Sequence, residues 1–216
     1  VRQKIIDDIY YRISPWDDFP PAHLNGILQP EHSFMLGSSD AVFEHLIAET
    51  RPETIIEVGT YLGNSAIHMG NLVKRLGLKT QIICVDDFRA WLTNGFILKF
   101  KSHQIVNGDR LHLYKFMLNV FNAKLTDSVM FLPFSTSNGL ELLCQMGIYA
   151  DLVEIDAAHD FHSAWLDINN GYKLLRPGGV LFGHDINLAG VRNAANLFAG
   201  IHGFKIRIEG QHWILY

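Results

Sequence analysis

Five short apolar runs constrain the fold of this chain more strongly than any other feature of the sequence. The runs are Thr54 to Val58, Gln81 to Val85, Val129 to Leu132, Leu152 to Ile155 and Val180 to Phe182. They are rich in Ile and Val and lack polar alternation, which is typical of parallel strands covered on both faces. We therefore expect an open, largely parallel sheet with helices on both sides.

Segments with helical patterns separate the predicted strands. A first helix is expected after the capping sequence Ser38-Ser39-Asp40 and ends before Pro52. Four more helices are predicted, at Asn64 to Leu76, Ser137 to Met146, Phe161 to Leu175 and Asn187 to Phe198. Two final strands, Phe204 to Ile208 and His212 to Tyr216, flank a tight turn and indicate a hairpin.

This alternation predicts an α/β fold of the Rossmann-like class. We expect a doubly wound, seven-stranded sheet that is mostly parallel and ends in a C-terminal antiparallel hairpin. The 216 residues allow one such domain, which we place at residues 38–216. Residues 1–37 carry four prolines among aromatic and charged residues, and we expect an irregular N-terminal extension or cap there.

The stretch of residues 88–127 is about twice as long as a simple crossover between strands requires. It is rich in aromatic residues, and we interpret it as a helical insert within the domain. Two roles are open for it. The insert either lines a substrate pocket as a cap or packs on the core without contacting substrate.

Composition and charge exclude several classes of function. The formal net charge is -4 with both signs scattered, and the absence of a basic run argues against nucleic-acid binding. No apolar stretch approaches the roughly 18 residues needed to cross a bilayer, so no membrane association is expected. The two cysteines lie in apolar segments and no secretion signal is visible, which favours the reducing cytoplasm.

The strongest local motif runs from Ile55 to Ala66, where a buried strand ends, turns at a glycine and enters a helix. Gly59 permits a tight turn and a close approach of the backbone to a ligand. Gly63 lets the start of the helix pack against the strand, and the amides there favour a carboxylate or a phosphate. The segment lacks the full G-x-G-x-x-G pattern of dinucleotide-binding proteins.

Polar side chains also follow the later strands. Asp86 and Asp87 end the second strand, and an acidic residue at that position can accept both hydrogen bonds of a ribose diol. We assign Asp86 to this role and hold Asp87 in reserve. The fourth strand delivers Asp156 and His159 to the carboxyl edge of the sheet, where open α/β folds bind ligands.

The motifs that follow one another along residues 38–216 resemble the class I S-adenosylmethionine-dependent methyltransferases. The resemblance rests on the acidic-x-Gly-x-x-x-Gly-x-Ser-Ala string, on Asp-x-x-His, on Leu-x-Pro-Gly-Gly and on His-Asp-Ile. It is closest to small-molecule O-methyltransferases of the catechol type and of antibiotic and glycoside tailoring. The residues that it implies around S-adenosylmethionine are Glu57, Gly59, Tyr61, Gly63, Ser65, Asp86 and Asp156.

One further loop is implied in cofactor binding. In related methyltransferases the loop after the third strand meets the adenine, and here it contains Ser135 and Thr136. Ser135 is our candidate for that contact. A role in capping the following helix is equally consistent with its position.

The resemblance implies an enzyme that transfers a methyl group to a hydroxyl of a small molecule, such as a phenol, a sugar or a glycoside. A hydroxyl is a poor nucleophile at neutral pH, so a general base or a bound cation must assist removal of its proton. His159, beside Asp156, is the candidate base. Catechol-type enzymes carry lysine at this position, and a packing or capping role for His159 is the alternative.

A divalent metal is a further expectation from the resemblance. Metal-dependent relatives hold Mg²⁺ with three oxygen-bearing side chains, and Asp156 and Asp185 occupy two of those positions while His184 occupies the third. Imidazole suits softer ions such as Mn²⁺, Fe²⁺ or Zn²⁺. Three alternatives stay open, namely Mg²⁺ with a water in place of one ligand, a softer metal, and no metal. His162, one turn from His159, is a weaker candidate ligand.

Two rival functions share this pattern of motifs. One is a metal-dependent oxidative enzyme of the cephalosporin-hydroxylase-like branch, and the other is a non-catalytic protein that only binds the cofactor. The expected partner is a small-molecule acceptor. A homodimer is compatible with the resemblance, because relatives often associate through the N-terminal segment.

Overall fold

The computed structural model describes residues 1–29, 37–89 and 105–216. Its helices are α1 (Arg2–Asp8), α2 (Ala41–Thr50), α3 (Asn64–Arg75), α4 (His112–Asn122), α5 (Thr136–Gln145), α6 (Phe161–Lys173) and α7 (Ala189–His202). Its strands are β1 (Thr54–Val58), β2 (Gln81–Val85), β3 (Ile105–Val106), β4 (Asp109–Arg110), β5 (Val129–Leu132), β6 (Ala150–Ile155), β7 (Leu175–Gly183), β8 (Ile206–Glu209) and β9 (His212–Leu215).

Seven strands form one sheet in the order β5-β2-β1-β6-β7-β9-β8. The first five strands of that order run parallel, whereas β9 pairs antiparallel with β7 and β8 pairs antiparallel with β9. All residues of β1 and β5 are buried, as expected for strands covered on both faces. The predicted Rossmann-like sheet with a C-terminal hairpin is confirmed.

The path of the chain through the sheet fixes where a ligand can bind. From β1 the chain winds outward through β2 to β5, and then it returns to place β6 on the other side of β1. In open α/β sheets the crevice at such a reversal, beside the carboxyl ends of the strands, is the usual ligand site. The segments that follow β1, β2, β6 and β7 all reach this edge.

The ends of several elements differ from the sequence prediction. Leu175, predicted as the last residue of a helix, begins β7, because it pairs with Ala150 at the start of β6. The pairing shifts register between Ala150 and Leu152, which accommodates the Pro-Gly-Gly turn inside β7. Helix α7 continues past the predicted end at Phe198 to His202, where Gly203 ends it in the left-handed conformation with φ 76°.

The N-terminal residues are more ordered than the prolines indicated. Residues 2–8 form α1, which buries Ile5 and Ile6, so the prediction of an irregular extension is wrong for this part. Tyr10 Oη donates to the Phe131 carbonyl at 2.6 Å and Trp16 Nε1 donates to the Val129 carbonyl at 3.1 Å. These bonds satisfy outward carbonyls of β5, which is an edge strand of the sheet.

Two predicted boundaries adjoin stretches outside the described residues. The division between extension and domain at residue 37 follows residues 30–36, and it stays a prediction. Within the predicted insert, residues 105–122 form the β3–β4 hairpin and α4, while residues 90–104 lie outside the description. The role of the insert as a substrate cap therefore also stays a prediction. Among the helices in the described ranges, each is too short or too polar to span a membrane.

Candidate active site

The turn between β1 and α3, residues 59–63 and hereafter the glycine turn, has an unusual backbone. Gly59 and Gly63 have φ of 86° and 84°, and Tyr61 also takes a positive φ of 49°. A Cβ at Gly59 would overlap the carbonyl oxygen of Asp156, so only glycine allows β1 and the segment after β6 to approach this closely. Helix α3 begins at Asn64 without a side-chain cap, and the start of a helix favours an anionic group.

Glu57 and Ser65, both predicted to border the cofactor, bond to each other. Glu57 Oε1 accepts the Ser65 hydroxyl, and both side chains are buried beneath the glycine turn. Burial raises the pKa of Glu57 to about 7, against the hydrogen bond from Ser65, which favours the charged form. Glu154 of β6 lies beside Glu57 in the sheet and is buried too. Burial together with the charge of Glu57 raises the pKa of Glu154 well above the usual range. The bond between Glu57 and Ser65 thus joins the end of β1 to the start of α3 beneath the glycine turn.

Asp86 binds the backbone of the glycine turn. Its Oδ2 accepts from the amides of Thr60 at 3.0 Å and Tyr61 at 2.9 Å, and its Oδ1 accepts from the amide of Phe88 at 2.7 Å. Three of the roughly four acceptor positions of a carboxylate are therefore occupied. Asp87, the reserve candidate, is exposed, and its Oδ1 accepts from the Arg89 amide at 2.9 Å. Ribose binding by either residue stays a prediction.

Ser135 is the N-cap residue of α5. Its Oγ accepts from the Asn138 amide at a long 3.4 Å, and the side chain is exposed. The capping role that the sequence left open is therefore present in the structure. An additional contact with adenine stays a prediction.

The ends of β6 and β7 bring together Asp156, His159, His184 and Asp185, hereafter the acid–histidine cluster. His159 Nε2 lies 2.8 Å from Asp185 Oδ2, and His184 Nδ1 lies 3.3 Å from Asp185 Oδ1 and 3.7 Å from Asp156 Oδ1. The side chains of His159 and Asp156 are each 32% exposed, which leaves this part of the cluster open to a ligand. Asp185 has a positive φ of 59°, a strained conformation that recurs at functional sites.

Electrostatics couple the four groups. Burial opposes the charged form of His184, yet the carboxylates of Asp156 and Asp185 beside it raise its pKa to about 10. The hydrogen bond to Asp185 likewise raises the pKa of His159. For Asp185, bonds from the two imidazoles outweigh burial and lower the pKa, whereas burial raises the pKa of Asp156. The two imidazoles and two carboxyls therefore titrate as a coupled set.

Three side chains of the cluster are candidate ligands for a divalent ion. One ligand atom from each of Asp156, His184 and Asp185 lies within 4.8 Å of the others. Ligands of an ion with bonds of about 2.1 Å are about 3 Å apart in octahedral geometry, so a small closure of this group would suffice. One imidazole with two carboxylates suits Mn²⁺, Fe²⁺ or Zn²⁺ better than Mg²⁺. His162 is exposed and does not belong to this group.

Several residues around the cluster escaped the sequence analysis. The His212 ring packs 4.7 Å from that of His184, and Trp213 Nε1 donates to the His184 carbonyl at 3.2 Å. A Cβ at Gly37 would overlap His184 Nε2, and one at Gly190 would overlap the His159 carbonyl. Burial and the charge of His184 lower the pKa of His212 to about 4. In the sequence, Gly190 near the predicted start of α7 was the one signal of such a close contact, because a glycine inside a helix pattern can mark close packing.

The fold, the glycine turn and the acid–histidine cluster together define a Rossmann-like methyltransferase domain. A family model described as a methyltransferase domain matches residues 56–186, which is more than half of the chain. The chain therefore belongs to this methyltransferase family, and the resemblance stated from its motifs is confirmed. No curated protein sequence matches the chain significantly.

Solved structures share the fold at low sequence identity. The cofactor-bound protein Rv0187 from MTB is 17% identical, with a TM-score of 0.61 over 86% of this chain and 82% of that one. An O-methyltransferase from Bacillus cereus, solved in complex with SAH, is 16% identical, with a TM-score of 0.59 over 99% and 94%. TomG, an O-methyltransferase from Streptomyces achromogenes solved with SAM, is 16% identical, with a TM-score of 0.57 over 81% and 76%.

Proposed function

We propose that this methyltransferase carries a methyl group from S-adenosylmethionine to a hydroxyl oxygen of a small molecule. Membership of the methyltransferase family supports the reaction class. Solved relatives of the same fold include O-methyltransferases bound to SAH or SAM, which supports the cofactor and the acceptor atom. The observation that carries the choice of oxygen is the His159–Asp185 pair at 2.8 Å, because a hydroxyl acceptor needs a base.

The glycine turn binds the cofactor in this proposal. Gly59 gives backbone access beside Asp156, and the uncapped start of α3 presents amides to the carboxylate of the methionine part. Asp86 fixes the turn through the amides of Thr60 and Tyr61. When bound, S-adenosylmethionine supplies the methyl group on a sulfonium, which is an excellent leaving group.

The acid–histidine cluster prepares the acceptor. As the acceptor oxygen forms its bond to the methyl carbon, the carbon–sulfur bond breaks and the electron pair stays on sulfur. The hydroxyl proton passes to the His159 imidazole. Asp185, hydrogen-bonded to Nε2 of His159, orients the ring and stabilises the imidazolium that forms.

A divalent ion at Asp156, His184 and Asp185 is part of the proposal. It would polarise the acceptor hydroxyl and lower the pKa of that group. The imidazole in the donor set favours Mn²⁺ or another softer ion over Mg²⁺. Asp185 would then serve both the ion and His159, one oxygen towards each.

Binding of SAH, measured by calorimetry, tests the cofactor assignment. We expect micromolar affinity for the wild type in EDTA, with Mg²⁺ and with Mn²⁺. Methyl transfer to a panel of phenols, sugars and glycosides then tests the acceptor class. Absence of SAH binding under every condition would refute the proposed function. Tight binding without transfer to any hydroxyl would refute the O-transfer part.

The metal is tested by titrating Mn²⁺ and Mg²⁺ into the wild type and into His184→Ala. If the site prefers softer ions, the wild type binds Mn²⁺ more tightly than Mg²⁺. We expect the affinity of His184→Ala for Mn²⁺ to be about tenfold or more weaker than that of the wild type. His162→Ala is the matched control, because His162 is an exposed histidine outside the cluster. Equal binding of Mn²⁺ to wild type and His184→Ala would remove His184 from the site.

A further inference from the structure

One face of α4 contacts three consecutive residues of the glycine turn. His112, Phe116 and Asn119 are four and three positions apart, so they share one helix face, and all three are buried. The three contacting pairs are Tyr61 with His112, Leu62 with Asn119, and Gly63 with Phe116. Through these three contacts α4 packs along the glycine turn.

The contact of Asn119 is directional. Its Nδ2 donates to the Leu62 carbonyl at 3.0 Å, and the amide of the same peptide group, on Gly63, donates to the Thr60 carbonyl at 2.8 Å. Both polar atoms of the peptide between Leu62 and Gly63 are thereby held. This peptide leads directly into α3, so its orientation sets where the first amides of the helix point.

The two ring contacts are made with residues of the turn that have positive φ, Tyr61 and Gly63. The rings of Tyr61 and His112 are 4.5 Å apart, at the residue whose φ of 49° is unusual for a tyrosine. A Cβ at Gly63 would lie 2.8 Å from the Phe116 ring, so the helix packs directly against the glycine. Asp86 holds the other side of the turn through its amides.

Helix α4 is itself fixed to the sheet. Phe116 packs against Phe88 after β2, with ring centroids 5.0 Å apart, and against Phe131 of β5 at 5.6 Å. Phe88 and Phe131 also contact each other at 5.9 Å. The face of α4 that contacts the turn is therefore itself packed against the core.

We propose that Asn119 is a positioning residue for cofactor binding, because it orients the peptide between Leu62 and Gly63 and so aims the amides that start α3. The inference rests on the proposed function, since it assigns those amides to the cofactor. Asn119 itself acts through the turn and not on the reacting atoms. A leucine at this position fills similar space but cannot hold the Leu62 carbonyl.

The test compares wild type with Asn119→Leu and Asn119→Asp, of which the second is close to isosteric and lacks the amide donor. SAH affinity is expected to fall about tenfold or more in both, which is about 1.4 kcal/mol by the usual conversion. In the methyl-transfer assay KM for the cofactor rises, while kcat at saturating cofactor changes less than about threefold. A role in folding alone would lower melting temperature without this split.

Asn169→Ala is the matched control, because Asn169 Nδ2 donates to the Trp165 carbonyl at 2.7 Å within α6, away from the turn. It is expected to keep the SAH affinity and KM of the wild type. Hydrogen exchange of the amides of residues 60–64 gives a second readout, and Asn119→Leu is expected to accelerate it. Exchange in α5 serves as the internal reference.

Wild-type affinity and unchanged exchange in both Asn119 variants would overturn the inference and leave the proposed function intact. If the wild type binds no SAH, the proposed function fails, and the exchange of residues 60–64 alone decides whether Asn119 positions the turn. Equal weakening in Asn169→Ala would also overturn the inference, because the effect would then follow loss of any helix amide.

Discussion

The glycine turn and the acid–histidine cluster meet at one edge of the sheet, and they are built in opposite ways. In the turn, backbone amides bind Asp86 and the Thr60 carbonyl, and the carboxyl group of Glu57 accepts the Ser65 hydroxyl beneath them. In the cluster, two imidazoles and two carboxyls interact with one another, and His159 and Asp156 stay one-third exposed. The difference teaches that shape is preorganised by backbone, whereas proton handling needs titratable side chains beside solvent or substrate.

The largest expected effect separates chemistry from binding. His159→Ala removes the proposed base, so we expect kcat to fall by about 10²- to 10³-fold while SAH affinity changes less than about threefold. Steady-state kinetics and calorimetry measure the two quantities. His162→Ala, an exposed histidine nearby, should leave both unchanged. A loss of SAH affinity equal to the loss of kcat would break the separation between cluster and turn.

Substitution of a glycine tests how closely the glycine turn is packed. Gly63→Ala places a Cβ 2.8 Å from Phe116 at a φ of 84°, so we expect a loss of about 2–3 kcal/mol in the free energy of unfolding. Gly77→Ala is the control, since it shares a positive φ of 65° but meets nothing within 4 Å. Backbone strain alone should reduce its stability by about 1 kcal/mol. Chemical denaturation measures both, and equal losses would contradict the close packing of Phe116.

The buried carboxyl under the turn predicts a pH dependence of stability. The pKa of Glu57 is about 7 in the folded state, above its ordinary value of 4.5, so the folded protein holds the proton more tightly. Its contribution to stability is therefore greatest below about pH 4.5 and declines as pH rises towards 7. Glu57→Gln should reduce the fall in stability between pH 5 and pH 8 by roughly 1–2 kcal/mol.

Denaturant unfolding of wild type and Glu57→Gln at both pH values measures this effect. Glu53→Gln is the matched control, because Glu53 is exposed. It should leave the pH dependence unchanged. An identical slope in Glu57→Gln and wild type would show that Glu57 is ionised in the folded protein.

The smallest expected effect concerns Ser135, where capping and adenine contact are the two alternatives. Ser135→Ala removes the acceptor for the Asn138 amide and should reduce the free energy of unfolding by about 0.5–1 kcal/mol. If capping is its whole role, SAH affinity stays within about twofold of wild type, as calorimetry would show. A drop in affinity without a drop in stability would assign Ser135 to the adenine instead.

Local sequence information was sufficient for much of the fold. The bounds of β1, β2 and β5 agree with the predicted runs, because a strand buried on both faces must be apolar along its whole length. The start of α3 at Asn64 also agrees, since Gly63 marks it. Where the prediction was wrong, pairing or packing prevailed over local pattern, as at Leu175 and in α1.

What the sequence by itself determined is the order of elements and the chemical type of each residue at the strand ends, Asp156, His159, His184 and Asp185 included. The tertiary structure decided which of these groups meet and which backbone groups they hold. Asp86 faces the amides of the glycine turn, and Asn119 reaches the Leu62 carbonyl across 57 positions of the chain. Side-chain partners so distant in sequence leave no local periodicity, because strand order and helix packing alone bring them together.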